Sequence, residues 1–446
     1  MKNVFTKIIL FLFSINSVYS QKSIESPNVI IIYTDDQGTI DVNSFGAKDL
    51  YTPNIDLLVK TGVKFTQFYA AASICSPSRA ALLTGKTPLA AGLPGNAASM
   101  KGVKGLPSEQ VTIAEKLKEN GYTTAHIGKW HLGYSEETRP NNQGFDYSFG
   151  HMGGCIDNYS HFFYWAGANR HDLWENNKEI WMDGDYFQDL MSRKANDFIE
   201  KNKENPFFLY YAINLPHYPL QGTDKWRDYY KHLESPRDKY AAAISTVDER
   251  IGILLKKLDA LHLRDKTILI FQSDHGHSME ERTFGGGGSA GPYRGAKFSF
   301  FEGGIRVPAI ISYPGKIPSN LVRDQMCVNV DWFPTILDFA KINYKSDVFD
   351  GKSLKDVILK NTVSPHKEFW WWVNKDRWAV RKGDWKLLKN PKDPSQKAPV
   401  RLIDSYYLVD LKEDQSEKIN LTNKYPEKVK ELVKSYNDWY DKTTTK

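Results

Sequence analysis

The chain of 446 residues holds 59 basic and 53 acidic side chains, a net charge of +6, with 41% hydrophobic and 13% aromatic residues. Its three cysteines, Cys75, Cys155 and Cys327, exclude a disulfide-stapled scaffold, and no stretch of about 18 unbroken apolar residues marks an integral membrane segment. The mildly basic balance is that of an ordinary solvated surface and suits an anionic substrate; no nucleic-acid partner is expected.

Residues 1–20, MKNVFTKIILFLFSINSVYS, join Lys2 and Lys7 to a short apolar run with small residues near a cut after Ser20. This is secretory-signal architecture with no cysteine for a lipid anchor, so a periplasmic or secreted protein is expected. Taking two lysines and no acids from the net charge of +6 leaves +4 for the mature chain. One cysteine at least stays unpaired; Cys155 and Cys327 are open either to a bridge or to burial as free thiols.

Short β-branched and aromatic runs predict buried strands at NVIIIY (28–33), YTTAHI (122–127), PFFLYYAIN (206–214), KTILIFQS (266–273) and VPAIISY (307–313). Between them, Ser108 is the expected cap of a helix carrying Ile113, Ala114 and Leu117 that stops at Asn120–Gly121. Tyr240, Ile244, Val247, Ile251, Leu255 and Leu258 fall at helical spacing. Fully apolar strands alternating with helices predict an α/β fold: a large, mainly parallel sheet sandwiched by helices, over residues 21–345. From 346 to 446 the texture becomes rich in Trp and Lys. WWWVNKDRWAVRKGDWKLLKN (370–390) predicts antiparallel strands with a turn at Lys382–Gly383–Asp384, YYLVDL (406–411) another strand, and 426–442 a closing helix, together a smaller α+β subdomain. Within WWW, alternation turns Trp371 away from its neighbours.

Ligands of such sheets sit beyond the carboxyl ends of the strands. Asp35-Asp36, Lys129 with His131, His217 and Asp274-His275 each follow a predicted strand, so four distant loops bring acids, histidines and a lysine to one edge. Adjacent buried carboxylates need a cation, and oxygen-rich sites suit hard ions such as Ca²⁺ or Mg²⁺. Cys75 stands at the mouth of a predicted helix with Pro77 in its first turn and Arg79 one turn on, where backbone donors favour an anion.

CSPSRAALLTG (75–85), with Asp35-Asp36, GKWHLG (128–133), PHYP (216–219), SDHG (273–276), RGAK (294–297) and EGGIRVP (302–308), resembles the type I sulfatases of the alkaline-phosphatase-like superfamily, polysaccharide sulfatases and arylsulfatases among them. A looser likeness continues through VNVDWFPT (328–335) and AVRKGDWKL (379–387). The resemblance implies that Cys75 is oxidised to Cα-formylglycine by a formylglycine-generating or anaerobic sulfatase-maturating enzyme. The aldehyde hydrates to a geminal diol, with one hydroxyl to attack and another to eject product, a route closed to a thiol. It further implies that Asp35, Asp36, Asp274, His275 and residue 75 hold one Ca²⁺, that Arg79 steadies the diol, and that Lys129 and Lys297 neutralise sulfate oxygens. His217 is then the acid for the leaving sugar oxygen and His131 the base for the second hydroxyl. His275 departs from the asparagine of many members, and imidazole is a better ligand for softer ions than for Ca²⁺.

Residues 150–181 form a long aromatic segment. Trp165, Trp174 and Tyr164 either stack on sugar faces or cover the sheet, and His161, Asn169, Arg170 and His171 are the better candidates for contacts to hydroxyl or sulfate groups. TFGGGGSAGPYRG (283–295) reads as a connector before Lys297. The expected substrate is a sulfated polysaccharide or its oligosaccharides, such as ulvan or carrageenan. A phosphatase or phosphodiesterase of the same superfamily and a non-catalytic sulfated-glycan binder are the alternatives; the first favours Ser or Thr as nucleophile, the second leaves Cys75 unmodified.

Overall fold

The computed structural model describes residues 26–97, 99, 104–164, 169–397, 400–401 and 404–445. The expected signal segment 1–20 and Trp165 lie outside the described residues.

All five expected strands enter one sheet of ten. Its order is Leu321–Arg323, Gly62–Phe65, Ala309–Ser312, Thr267–Ser273, Asn28–Thr34, Phe207–Ala212, Thr123–Lys129, Tyr147–His151, Trp174–Glu175, Lys178–Glu179. The five strands from Thr267–Ser273 to Tyr147–His151 run parallel, whereas Ala309–Ser312 is antiparallel to its neighbours. Alternation along the central strand divides the core. Val29, Ile31 and Tyr33 pack under the helices Cys75–Thr84, Ile113–Lys118 and Trp332–Ala340. Ile30 and Ile32 pack on the other face, under Pro53–Lys60, Phe187–Lys201 and Arg237–Ala260.

The helix at Ile113–Lys118 is capped by Thr112, not Ser108. Thr112 Oγ1 accepts from Glu115 N while the Glu115 carboxylate accepts from Thr112 N, a reciprocal box that Ser108 lacks. Leu354, Val357 and Ile358 join the core of the large sheet, so the antiparallel layer itself begins at Glu368. That layer has four strands, Glu368–Asn374, Arg377–Lys382, Trp385–Lys389 and Tyr406–Asp410, closed by the helix Pro426–Thr444. Trp371 turns inward, its indole donating to the Ala70 carbonyl at 2.8 Å, while Trp370 stacks on Trp439 on the opposite face. A buried charge cluster also couples the layers: Lys386 lies 2.9 Å from Glu302 and 3.0 Å from Glu417. All three cysteines are buried and unpaired. No helix among the described residues is long and apolar enough to cross a membrane.

Candidate active site

Cys75 opens the helix Cys75–Thr84, which Gly85 ends in the left-handed conformation, and every side chain of this helix is buried. Its serines fasten it to the strand-end loops. Ser76 Oγ donates to the His131 carbonyl at 2.6 Å, and Ser78 Oγ to the Asp274 carbonyl at 2.5 Å. The helix start is therefore tied to two loops that follow different strands, and the thiol is held beneath the carboxyl edge of the sheet.

Around the sulfur, Asp35 Oδ1 lies at 3.6 Å and His275 Nε2 at 3.3 Å. One ligand atom each from Asp35, Cys75, Asp274 and His275 fall within 4.8 Å of one another, and Asp36 and His217 share such a grouping with Asp35 and Cys75. His275 Nδ1 donates to the Gly276 carbonyl at 2.9 Å, which turns the Nε2 lone pair toward Asp36 Oδ1 at 3.4 Å and Asp274 Oδ1 at 3.5 Å. A lone pair facing two carboxylates is repulsive without intervening positive charge. The conflict shows as protonation: burial pushes Asp36 up to about 7 against the pull of Lys297, and His275, despite burial, is raised to about 9 by Asp274 and Cys75. Three carboxylates and one imidazole with this geometry fit a divalent cation. Asp36 holds a left-handed backbone, φ 62°, a conformation that costs a non-glycine residue about 1 kcal/mol.

The cations surround this cage. Lys129 Nζ lies 2.5 Å from Asp35 Oδ2, and Lys297 Nζ 3.0 Å from Asp36. Arg79 Nη2 lies 3.0 Å from Asp274 Oδ2 and 3.5 Å from Asp35 Oδ1. Burial alone would push the Cys75 thiol up, but Lys129 and Lys297 outweigh it and bring it down to about 6. Residue 75 thus sits in a field that stabilises negative charge.

Two histidines complete the cluster. His217 Nδ1 donates to the Tyr218 carbonyl at 2.9 Å, leaving Nε2 as its free nitrogen, 3.8 Å from Asp36 Oδ2. His131 has φ 54°, packs its ring over Gly154, and has no partner at Nδ1. Burial, with nearby Lys129 in both cases, holds both imidazoles well below the ordinary histidine range. A Cβ on Gly154 would lie 3.0 Å from the His131 ring, so this residue must be small.

Comparison with known proteins reads this arrangement. The sulfatase family model matches residues 27–342. The chain belongs to the sulfatase family. A second model, the N-sulphoglucosamine sulphohydrolase C-terminal region, matches residues 295–442. This sulfatase is 32% identical over 376 residues to an arylsulfatase of Hemicentrotus pulcherrimus, covering 81% of this chain and 67% of the relative. It is 32% identical to the N-acetylgalactosamine-6-sulfatase of Homo sapiens, covering 78% of this chain and 73% of that one. Among solved structures, Ps i-CgsB in complex with k-i-k-neocarrahexaose superposes with a TM-score of 0.83 at 31% identity, covering 93% of this chain and 92% of that one. The chain is a sulfuric ester hydrolase of the alkaline-phosphatase-like superfamily.

The rim of the sulfatase site departs from expectation. Trp174 is buried, with Arg139 over its ring at 4.6 Å and Tyr134 in a T-shaped contact, so it is not displayed to a sugar. His161 and His171 are also buried, their rings 6.3 Å apart, rather than displayed for hydroxyl contacts. The hairpin register sets the direction of His171: Phe162 pairs with His171 and Phe163 with Arg170, so the two pairs face opposite ways, whereas Trp174 lies in the large sheet opposite Gly150 and Glu179. Phe163 packs with Cys155 and Tyr218, next to His217, and Arg170 lies 4.1 Å over the Phe163 ring. Arg170 Nε and Nη2 are buried without hydrogen-bond partners, which keeps this guanidinium a candidate for an anionic ligand. Among the glycines 285–288, Gly287 is fastened at its carbonyl by Arg237 at 2.8 Å.

Sequence reasoning missed residues that brace the sulfatase site without carrying reactive groups. Asn329 Nδ2 donates to the Ser78 carbonyl at 2.9 Å and to Ser78 Oγ at 3.1 Å, while its Oδ1 accepts from Ala71 N at 3.0 Å. Tyr210, from a neighbouring strand, accepts from Arg79 Nη1 at 3.3 Å, and Glu280 lies 3.5 Å from Lys297 Nζ. The loose likeness through VNVDWFPT was the one available signal for Asn329.

Proposed function

We propose that this sulfatase is exported to the periplasm or the medium and removes sulfate from a sulfated galactan of the carrageenan type or its oligosaccharides, with residue 75 matured to Cα-formylglycine and one Ca²⁺ bound. The observation that carries the proposal is the position of residue 75: first in its helix, surrounded by Asp35, Asp36, Asp274 and His275, and flanked by two buried lysines and an arginine. The carrageenan reading rests on the neighbour solved with neocarrahexaose, and the N-acetylgalactosamine-6-sulfatase relative is named for a sugar of the same galacto configuration.

The Cys75 sulfur marks the place of the hydrated aldehyde, whose two hydroxyls supply an attacking oxygen and a later means of expelling sulfate. Asp35, Asp36, Asp274, His275 and residue 75 would hold Ca²⁺, which supplies Lewis-acid stabilisation of oxygen charge when bound. Arg79, donating to Asp274, orients that carboxylate beside residue 75. Lys129 and Lys297 are placed to receive charge that gathers on the sulfate oxygens, and being buried they do so without water to reorganise. His217 presents Nε2 alone, because Nδ1 is committed to the Tyr218 carbonyl. An anionic ester beside it offsets the lysine charges and lets Nε2 carry the proton that passes to the departing sugar oxygen. His131, held neutral, has an unpartnered Nδ1 ready to accept a proton from the second hydroxyl.

Mass spectrometry of the peptide containing residue 75, from protein produced with formylglycine-generating machinery, tests the reading. The expected product has lost the thiol and gained an aldehyde oxygen; an intact thiol in fully active protein overturns it. Defined carrageenan, ulvan and glycosaminoglycan oligosaccharides then separate substrates, with turnover expected on the carrageenan set.

A further inference from the structure

Apart from the cage at residue 75, one other group of metal-ligating side chains closes up among the described residues: His161, His171 and Asp183 place one ligand atom each within 4.8 Å of one another. The two imidazoles are 0% and 5% exposed. His161 Nε2 donates to the Asp185 carbonyl at 3.0 Å, and His171 Nδ1 to Glu179 Oε1 at 3.0 Å. Each ring is thereby fixed in one tautomer, and the nitrogen left over, Nδ1 of His161 and Nε2 of His171, carries a lone pair and has no hydrogen-bond partner.

Two imidazoles, each with one unpartnered nitrogen, thus come together with a carboxylate. A water molecule has two hydrogens for three acceptors, whereas a divalent cation satisfies all three. The outer hydrogen bonds, imidazole to carboxylate and imidazole to main-chain carbonyl, are those that orient histidines toward a metal and raise their basicity. The ligands come from three segments: His161 in a left-handed turn at φ 59°, His171 on the hairpin Phe162–Phe163/Arg170–His171, and Asp183 in a turn closed by Asp185 N to the Met182 carbonyl at 3.1 Å. Trp181 stacks on the His171 ring at 3.8 Å and holds its orientation.

We propose that His161, His171 and Asp183 form a Zn²⁺ site, distinct from the cage at residue 75, that clips this hairpin to the turn preceding the helix Phe187–Lys201. Two imidazoles with one carboxylate select a borderline cation of the Zn²⁺ class over Ca²⁺. Tetrahedral zinc–nitrogen bonds of about 2.0–2.1 Å set neighbouring ligands about 3.3 Å apart, so ligand atoms that lie within 4.8 Å of one another draw in around the ion. Because Phe163 and Arg170 occupy the opposite face of the same hairpin, the clip fixes the rim next to Tyr218 and His217.

The full-length protein, stripped with chelator and then held in excess Ca²⁺ to occupy the acid cage, is titrated with Co²⁺ as a spectroscopic stand-in for Zn²⁺. One equivalent is expected to bind with visible d–d bands and to be displaced by Zn²⁺. His161→Gln and His171→Gln each weaken this binding by at least about tenfold, and Glu179→Gln, which leaves both ligands in place, weakens it by about tenfold through the lost orienting carboxylate. Cys75→Ala leaves it unchanged. Failure of the wild-type protein to take up Co²⁺ in excess Ca²⁺ overturns the proposal whatever the variants do, as does wild-type affinity in both histidine variants.

Discussion

Lys129 Nζ and Asp35 Oδ2 meet at 2.5 Å, and neither side chain has any exposed surface. Asp35 is held below the ordinary carboxylate range even though burial opposes this, because the Lys129 ammonium outweighs it. Removing one partner of such a pair strands the other charge, at a cost of about 3–5 kcal/mol. Lys129→Met is therefore expected to lose that much stability in chelator and less in Ca²⁺, where a cation takes over the stranded carboxylate. Denaturant titrations with and without Ca²⁺ measure the two costs; equal costs would remove Asp35 from the metal set.

Cys75 contributes little to packing energy relative to its chemical role. It is 1% exposed, and replacing its sulfur by nothing larger than the alanine methyl is expected to cost about 1 kcal/mol. Cys75→Ala should keep its near-ultraviolet circular dichroism and melt cooperatively while losing all measurable turnover. Residual wild-type activity in that variant would rule residue 75 out as the nucleophile.

His217 is the proton donor to the leaving group in the proposed reaction. Its removal should slow sugar sulfates by about 10²–10⁴-fold, the usual contribution of a positioned acid. Activated aryl sulfates, whose phenolate leaves without help, should suffer far less in His217→Ala. Measuring kcat/KM on both classes decides the matter, and equal losses would reassign the residue to binding.

Glu417 and Glu302 flank Lys386 with opposite consequences for stability against pH. Burial raises Glu417 from its ordinary 4.5 to about 7, with Lys386 opposing. Between those values the folded protein keeps a proton that the unfolded chain has released, so this residue lowers stability as pH rises from 4.5 to about 7. Glu302, despite burial, is brought from 4.5 down to about 2 by Lys386 and Arg306, so its contribution is present above 4.5 and lost as pH falls toward 2. Glu417→Gln removes the first slope and keeps an oxygen to accept from Glu302 N. Melting temperatures taken near pH 5 and near pH 8 should show the variant gaining on wild type at the higher pH; a pH-independent difference would contradict the assignment.

Periodicity and motif order were enough to find the five inner strands, the helix beginning at residue 75, and the acids and bases at the strand ends. Each of these signals is local: an apolar run with a breaker behind it, or a reactive group within a few residues of a strand end. The Thr112 cap was also legible, as Thr-x-x-Glu just before an apolar run, and choosing Ser108 passed over it. The rim was not legible. Trp174, His161 and His171 have the composition of a carbohydrate site, but which way they face depends on pairings only two residues long: Trp174–Glu175 at the end of the large sheet, and the hairpin Phe162–Phe163/Arg170–His171 that carries His171 and follows His161. A shift of one residue in that register would exchange the Arg170 and His171 faces.

From its residues alone, the chain determined the layered α/β plan, the kinds of chemical group gathered at the sheet edge, and the turn of Trp371 away from Trp370 and Trp372, since strand period and strand-end position follow from neighbours in sequence. Tertiary structure decided which charges pair, as with Lys129 on Asp35 and Lys297 on Asp36 across 94 and 261 residues, and that His161 and His171 meet each other rather than a sugar. Those outcomes rest on distances between segments far apart in the chain, which are set when packing of the two sheet faces brings the loops together.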